Sequence, residues 1–368
     1  MPRQARGEYL NPGEVQVVHC VQRCVRRAFL CGTDEYTGQC FEHRRDWIRE
    51  RLEFLASIFA IDCLTFAIMS NHLHVVCRSR PDVVAEWSDA IVARRWLRLF
   101  PQRRGKDGSP SEPEDHEISM ITGDPERLAG IRSRLSDVSW WMRCTAENIA
   151  RRSNKEDKCS GRFKAQLLLD EASILACAAY VDLNPIRAAI AKTPGTSKFT
   201  GAKERIDDLK QRQSKSNETH AWECSQRQER SGWLAPIEIS EKQDSVGTDT
   251  CPSKRRASLK GFLPISLSHY LSLLDWTGRA VRTGKPGSIP GDLEADSCST
   301  RYRTDQLVQA GQKLRQALQT SRWHSPKLVR RGDSTRSALP ASSWPAAHGP
   351  SLASFTSTNC TRCIVQIA

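Results

Sequence analysis

Residues 61–78 read IDCLTFAIMSNHLHVVCR, which is two runs rich in β-branched and apolar residues separated by the polar pair Ser70-Asn71. This pattern predicts a β-hairpin. Its first strand runs from Ile61 to Met69, the polar pair makes a two-residue turn, and the second strand runs from His72 to Arg78.

The second strand of this hairpin carries two histidines separated by one leucine. Side chains alternate between the faces of a strand, so His72 and His74 share one face while Leu73 and Val75 point to the other, towards a core. We therefore expect two imidazoles side by side, about 7 Å apart at the backbone.

Similar patterns continue on both sides of the hairpin and predict alternating strands and helices. The predicted strands outside the hairpin are 14–23 and 163–169, and the predicted helices are 43–60, 81–99, 124–152 and 171–183, the last capped by Asp170. Residues 102–117 are charged and contain glycine and proline, which favours a loop. This order predicts an α+β fold, an antiparallel sheet with helices packed on it in a ferredoxin-like or RRM-like sandwich.

The second half of the chain has a different composition. Residues 201–258 are rich in Lys, Glu, Gln and Ser, which predicts a poorly ordered linker after a catalytic domain over 1–200. Apolar periodicity returns around 263–281, so we expect a small helical C-terminal module within 259–320. The Ser-, Arg- and Pro-rich stretch 321–368 is expected to be a disordered tail.

The overall charge favours a polyanionic partner. The chain of 368 residues has 55 Lys and Arg against 42 Asp and Glu, a net charge of +13, and neutralising phosphates releases condensed counterions. The longest apolar stretch, 52–69, is interrupted by Glu53 and Asp62, whereas a membrane span needs about 20 mostly apolar residues. No secretory signal pattern is present at the N-terminus, so we expect a cytoplasmic protein without a membrane span.

The two histidines of the hairpin are candidate metal ligands. Imidazole suits manganese or zinc and tolerates magnesium when oxygens complete the shell. The other reading of a His-x-His pattern is a pair of surface histidines on a half-exposed strand.

A second candidate segment is 178–188, AAYVDLNPIRA. Residues four apart lie on one face of a helix, so the amide of Asn184 can sit beside the ring of Tyr180. This arrangement provides a nucleophile and an oxygen ligand from one short segment. Alternatively, Asn184 caps a new helix that begins with Pro185.

These motifs together resemble those of the REP-associated tyrosine transposases, which are single-tyrosine transposases with a His-hydrophobic-His motif. The resemblance rests on His72-Leu73-His74, on Gly161-Arg162-Phe163-Lys164 before a helix, and on Tyr180 within YVDLNPIR. It covers about residues 14–195. A further stretch, 263–290, looks like a C-terminal extension found in longer members.

The resemblance implies an activity and a site. Members of such families cut single-stranded DNA, often beside a hairpin, and form a covalent 5′-phosphotyrosine link. By position, His72 and His74 would bind Mg²⁺ or Mn²⁺, Tyr180 would be the nucleophile, and Asn184 would be the third metal ligand. Related small transposases act as monomers or dimers, so a homodimer remains open.

Basic side chains near these motifs are candidate phosphate contacts, because single strands bind in basic grooves with stacking surfaces. They are Arg23, Arg26, Arg27, Arg94, Arg95, Arg98, Arg162, Lys164 and Arg187. Each could also be a solvated surface charge. His19 on the first strand could be a DNA contact, a core residue or a group that supports a metal ligand.

Two other functions fit the same residues. A replication initiator or relaxase shares the two-histidine and tyrosine chemistry, although a lone tyrosine favours the simpler transposase arrangement. The other is a DNA-binding protein domesticated from a transposase, without catalysis.

Overall fold

The computed structural model describes residues 10–23, 30–33, 38–106, 110–154, 163–216, 232–239, 255–281 and 284–293. These residues form a four-stranded antiparallel sheet with helices packed on both of its faces, which confirms the predicted α+β class. The tail predicted over 321–368 lies outside the described residues. In the part of the chain that is described, no helix has the length and apolar character needed to cross a bilayer.

The predicted hairpin supplies one edge strand and one central strand of the sheet. Its strands are β1 (Val17–Arg23), β2 (Ile61–Ile68), β3 (His72–Ser79) and β4 (Phe163–Leu168). Their order is β2-β3-β1-β4, so the histidine-bearing strand β3 lies between β2 and β1. The turn at 70–71 is closed by a hydrogen bond from the Met69 amide to the His72 carbonyl (2.9 Å).

The helices follow most of the predicted segments. They are α1 (Arg44–Ile58), α2 (Pro81–Glu86), α3 (Asp89–Leu99), α4 (Asp115–Thr122), α5 (Pro125–Leu135), α6 (Val138–Asn154), α7 (Glu171–Arg187), α8 (Gly201–Ser216) and α9 (Leu267–Arg279). The single helix predicted over 81–99 is two helices. The second begins after Ser88, whose hydroxyl caps it by accepting a hydrogen bond from the Ile91 amide. The loop predicted over 102–117 ends early, where Glu114 and Glu117 form a capping box that starts α4.

The two faces of the sheet bury separate apolar clusters. Leu73 and Val75 of β3 pack with α1 side chains such as Leu52 and Leu55, and helices α3 to α6 extend this layer. On the other face, Val76 packs with side chains of α7, α8 and α9. The two histidines of β3 point to this second face, under α7.

The described parts of the stretches expected to be a linker and a C-terminal module pack on the sheet and on α7. Helix α8 begins at the first residue of the stretch 201–258, and Trp233, from the same stretch, is fully buried against Phe66 of β2. Leu271 and Leu274 of α9 belong to the same apolar cluster as α7. A few apolar side chains thus anchor the described parts of the polar stretch 201–258 to the core, whereas residues 217–231 and 240–254 lie outside the described residues and the linker stays a prediction there.

The buried carboxylate of Asp182 fastens α7 to its neighbours. It accepts hydrogen bonds from the Thr65 hydroxyl of β2 (2.9 Å), from the Ala202 amide of α8 (2.9 Å) and from the Tyr270 hydroxyl of α9 (2.6 Å). Burial raises the pKa of Asp182, and these donors, together with the charge of Arg205, act in the opposite direction. Three elements distant in sequence are therefore tied to one turn of α7.

Substitution of Tyr270 by Phe should destabilise the protein. The change removes the donor to one oxygen of Asp182 and leaves a buried carboxylate oxygen without that partner, which costs about 1–3 kcal/mol. Urea unfolding followed by circular dichroism measures the loss. The control is Ser119→Ala, which removes a hydroxyl that donates to a carbonyl on the exposed helix α4 and should change stability by less than about 0.5 kcal/mol. Equal stability of Tyr270→Phe and wild type would contradict the role given to this junction.

Candidate functional site

Helix α7 carries two of the candidate side chains and runs without a break through their segment. It starts at its predicted cap, where the Asp170 carboxylate accepts from the Ser173 amide (2.7 Å). It continues past Pro185 to Arg187. A new helix capped by Asn184, the alternative left open by the sequence, is therefore wrong, and Tyr180 and Asn184 lie one turn apart on the same helix.

Three histidines cluster on the sheet beneath α7. His72 and His74 of β3 have ring centroids 4.6 Å apart. His19 of β1 lies edge to edge with His74, with centroids 5.2 Å apart and ring planes within 16° of each other, and the two rings are joined by a hydrogen bond between His19 Nε2 and His74 Nδ1 (3.0 Å). The third imidazole comes from the register of β1 against β3, in which Val21 pairs with His74 and His19 pairs with Val76.

The side chains of Tyr180 and Asn184 meet this cluster from above. The Tyr180 ring is half-buried and stands edge-on to His74, with centroids 5.7 Å apart, and to His19 at 6.3 Å. The Asn184 amide nitrogen lies 3.2 Å from His74 Nε2. The structure thus brings together the four residues singled out as nucleophile and metal ligands, with His74 at the centre.

The environment keeps the imidazoles neutral near pH 7. Burial lowers the pKa of His19 to about 4, with a contribution from the charge of His72. Burial also lowers the pKa of His72 to about 4, assisted by the charges of Arg23 and Lys285, and holds the pKa of His74 well below its ordinary value. A neutral imidazole has a free lone pair on one nitrogen, which is the form that ligates metals.

The donor set fits a hard or borderline divalent cation. Among the described residues, no cluster of three or more His, Cys, Asp or Glu side chains is arranged as a complete metal site. A cation here would take the imidazoles of His72 and His74 and, once the Asn184 amide is turned so that its oxygen replaces the nitrogen now facing His74, that oxygen. The remaining positions would be left to water or substrate oxygens. Such a mixed set with open positions suits Mn²⁺ and is compatible with Mg²⁺.

Two basic side chains lie at the rim of this site beside His72. Arg23 pairs directly with His72 across the sheet and is exposed. Lys285 is also exposed and close enough to depress the pKa of His72. Sequence reasoning selected the arginine but missed the lysine, because it lies more than 200 positions away in a segment with no strong pattern.

The segment 284–293 is held against α7 and α9, which explains how Lys285 reaches the site. Ile289 is buried, and its amide donates to the Gly278 carbonyl of α9 (3.0 Å). Gly287 approaches the end of α7 so closely that an added Cβ would lie 1.9 Å from the Ile186 carbonyl oxygen. Only glycine fits this contact without a shift of the backbone.

Arg187, a predicted phosphate contact, has a different role. Its guanidinium is buried and donates to the carbonyls of Thr277 and Ala280 at the end of α9, each at 2.7 Å. It therefore satisfies the carbonyl end of a neighbouring helix. The prediction of a phosphate contact is corrected, since the donors point into the fold.

The three arginines of α3 lie in the other helical layer. Arg95 donates to the carbonyls of Ser57 and Ile58 at the end of α1 and covers the Trp87 ring at 4.0 Å. Arg94 is exposed and Arg98 is paired with Glu112 at 3.9 Å. Because α3 packs in the layer of α1, on the sheet face opposite the histidines, these side chains lie away from the site, and their role as phosphate contacts stays a prediction.

The remaining basic candidates divide into two groups. Lys164 lies on β4 and pairs with Val21, so it shares the sheet face of His74 at a distance of two strands, about 10 Å. Arg26, Arg27 and Arg162 lie outside the described residues, and their roles stay predictions.

Comparison with known proteins gives one structural similarity. No protein-family model and no curated protein sequence matches this chain. A solved structure of a REP-associated tyrosine transposase bound to a REP hairpin is 12% identical, and the matched part covers 54% of this chain and 82% of that one with a TM-score of 0.32. With a TM-score this low, the similarity supports no conclusion about activity.

Proposed function

We propose that this protein cleaves and rejoins single-stranded DNA, near hairpins, through a covalent 5′-phosphotyrosine at Tyr180, and so acts as a transposase. The observation that carries the proposal is the meeting of Tyr180 and Asn184 of α7 with His72 and His74 of β3. The reaction needs a tyrosine and metal ligands close together, and this half-buried site contains a tyrosine, two imidazoles and a side-chain amide.

Cleavage would begin with attack by the Tyr180 hydroxyl oxygen on a DNA phosphorus. A P–O bond to the tyrosine forms as the bond from phosphorus to the 3′ oxygen breaks. The phenol loses a proton to solvent and the departing 3′ oxygen gains one, so the step has no net proton change. Attack by a 3′-hydroxyl on the phosphotyrosine reverses these bonds and joins strands without a hydrolytic water.

The chain's own residues would prepare this attack. A phenol with a pKa near 10 is mostly protonated at pH 7 and is a weak nucleophile. His72, His74 and Asn184 would hold a Mg²⁺ or Mn²⁺ ion, which when bound withdraws charge from a non-bridging phosphate oxygen. Arg23 and Lys285 at the rim would bind flanking phosphates and keep the strand beside Tyr180.

Replacement of Tyr180 by Phe should abolish a denaturant-resistant DNA adduct. The assay incubates the full chain with a hairpin-flanked single strand and Mn²⁺ and detects the adduct by denaturing electrophoresis. Ser119→Ala is the control, because it removes a hydroxyl from the exposed side of α4, in the helical layer on the opposite sheet face from the histidines. The control should still form the adduct, and a chelator should prevent it in both the control and the wild type.

An adduct that persists in Tyr180→Phe and in the presence of chelator would rule out this mechanism. DNA binding without an adduct in the wild-type protein would favour the other candidate, a DNA-binding protein that lacks catalysis.

The ligand role of Asn184 can be separated from a simple hydrogen bond to His74. Asn184→Asp supplies a carboxylate, which hard cations prefer, so Mn²⁺ affinity should be retained or increase. Asn184→Leu should lower the affinity at least about tenfold, since even groups outside the ligand shell contribute that much. Electron paramagnetic resonance of free Mn²⁺ measures both, and Asn148→Leu, a half-buried amide on α6, is the control. A loss in Asn184→Asp as large as in Asn184→Leu would count against direct ligation.

The positions of Arg23 and Lys285 predict the face of the protein on which DNA binds. Lys285→Ala should weaken binding of single-stranded DNA and reduce the slope of log affinity against log salt by about 0.7, the value for one phosphate contact. Arg94→Ala removes an exposed charge from α3 in the opposite layer and should leave the slope unchanged. Fluorescence anisotropy at several salt concentrations gives both slopes. The reverse pattern would move the binding surface to the α3 layer.

A further inference from the structure

His19 contacts the proposed metal site directly and has not yet been given a role. It lies on the central strand β1 and is 8% exposed. Its neighbours on the same face of β1 are Val17 and Val21, so the imidazole lies between two apolar side chains. Burial of a polar ring in such a place is costly unless its nitrogens are hydrogen-bonded.

The hydrogen bond between the two rings links His19 to the far nitrogen of His74. His19 Nε2 lies 3.0 Å from His74 Nδ1, and the ring planes are within 16° of each other. The other nitrogen of His74, Nε2, faces Asn184. His74 is therefore held at both nitrogens, by a strand neighbour on one side and by α7 on the other.

The direction of this hydrogen bond decides whether His74 can ligate a cation. A neutral imidazole carries one proton, on Nδ1 or on Nε2. If His19 Nε2 accepts from Nδ1–H of His74, the lone pair of His74 Nε2 points towards the Asn184 side-chain amide, whose nitrogen lies 3.2 Å away, and a cation bound there would take this lone pair in place of the amide. If the proton is on Nε2 instead, that nitrogen cannot bind a metal.

We propose that His19 is a positioning residue that holds His74 in the Nδ1–H tautomer, with Nε2 presented for a divalent cation. The inference rests on the proposed function for the identity of the site. Ligating histidines commonly donate their second N–H to a carboxylate, a carbonyl or water, which fixes both the tautomer and the ring orientation. Here a second imidazole, lying edge to edge with the ligand, takes that place.

Two substitutions separate this role from packing. His19→Phe keeps a ring against His74 but has no acceptor, so the Nδ1 proton loses its partner. His19→Gln keeps an acceptor oxygen near the position of Nε2 and should rescue the defect. Val18→Ala, which opens space on the opposite, fully buried face of β1, is the control for general strain in the strand.

Two measurements on the full chain provide the test. ¹⁵N NMR of histidine-labelled, metal-free protein reports the tautomer of His74, and the loss of signals in His74→Gln assigns its ring. Wild type, His19→Gln and Val18→Ala should show Nδ1–H, whereas His19→Phe should shift towards Nε2–H. Titration with Mn²⁺, followed by electron paramagnetic resonance, should show an affinity about 10- to 100-fold lower in His19→Phe, with most of it restored in His19→Gln.

Two results would overturn the proposal. One is an unchanged Nδ1–H tautomer in His19→Phe, whatever its affinity for Mn²⁺. The other is a changed tautomer with wild-type affinity, which would show that the contact does not serve the cation. If the tautomer changes as expected but wild type binds no Mn²⁺, His19 still positions His74 and it is the proposed metal site that fails.

Discussion

The buried carboxylate of Asp182 is the constraint on which the arrangement of this protein depends. A carboxylate in an apolar interior is stable only with donors around it, and here β2, α8 and α9 each supply one. These bonds fix how α7 is rotated about its own axis. Tyr180 and Asn184, two residues before and after Asp182, are thereby directed at the histidines of the sheet.

The segment YVDLNPIR accordingly serves two purposes along one helix. Tyr180 and Asn184 face the imidazoles, while Asp182 and Arg187 bind neighbouring elements from other sides of the helix. This division follows from the helical period. Side chains two residues apart point to different sides of a helix, whereas side chains four residues apart point to the same side. A change at Asp182 or Arg187 would therefore disturb the site without touching it.

The parts of the site that the sequence predicted are those set by local geometry. The hairpin turn, the shared face of His72 and His74, and the one-turn spacing of Tyr180 and Asn184 each depend on a short stretch of chain. The contact of His19 with His74 depends on the register between β1 and β3, and the position of Lys285 depends on packing of a remote segment, so neither could be read from nearby residues. Arg187 was misjudged because an arginine donates equally well to a phosphate and to the carbonyls at a helix end.

The close approach of Gly287 to the end of α7 limits how far the protein can be truncated from its C-terminus while it keeps its fold. A chain trimmed at residue 200, where the family-like motifs end, would lack α8, α9 and the strip that carries Lys285. The apolar side of α7 that those pieces cover would be open to water and prone to self-association. Keeping α7 covered therefore requires the chain at least as far as Ile289, well past the region in which its motifs can be recognised.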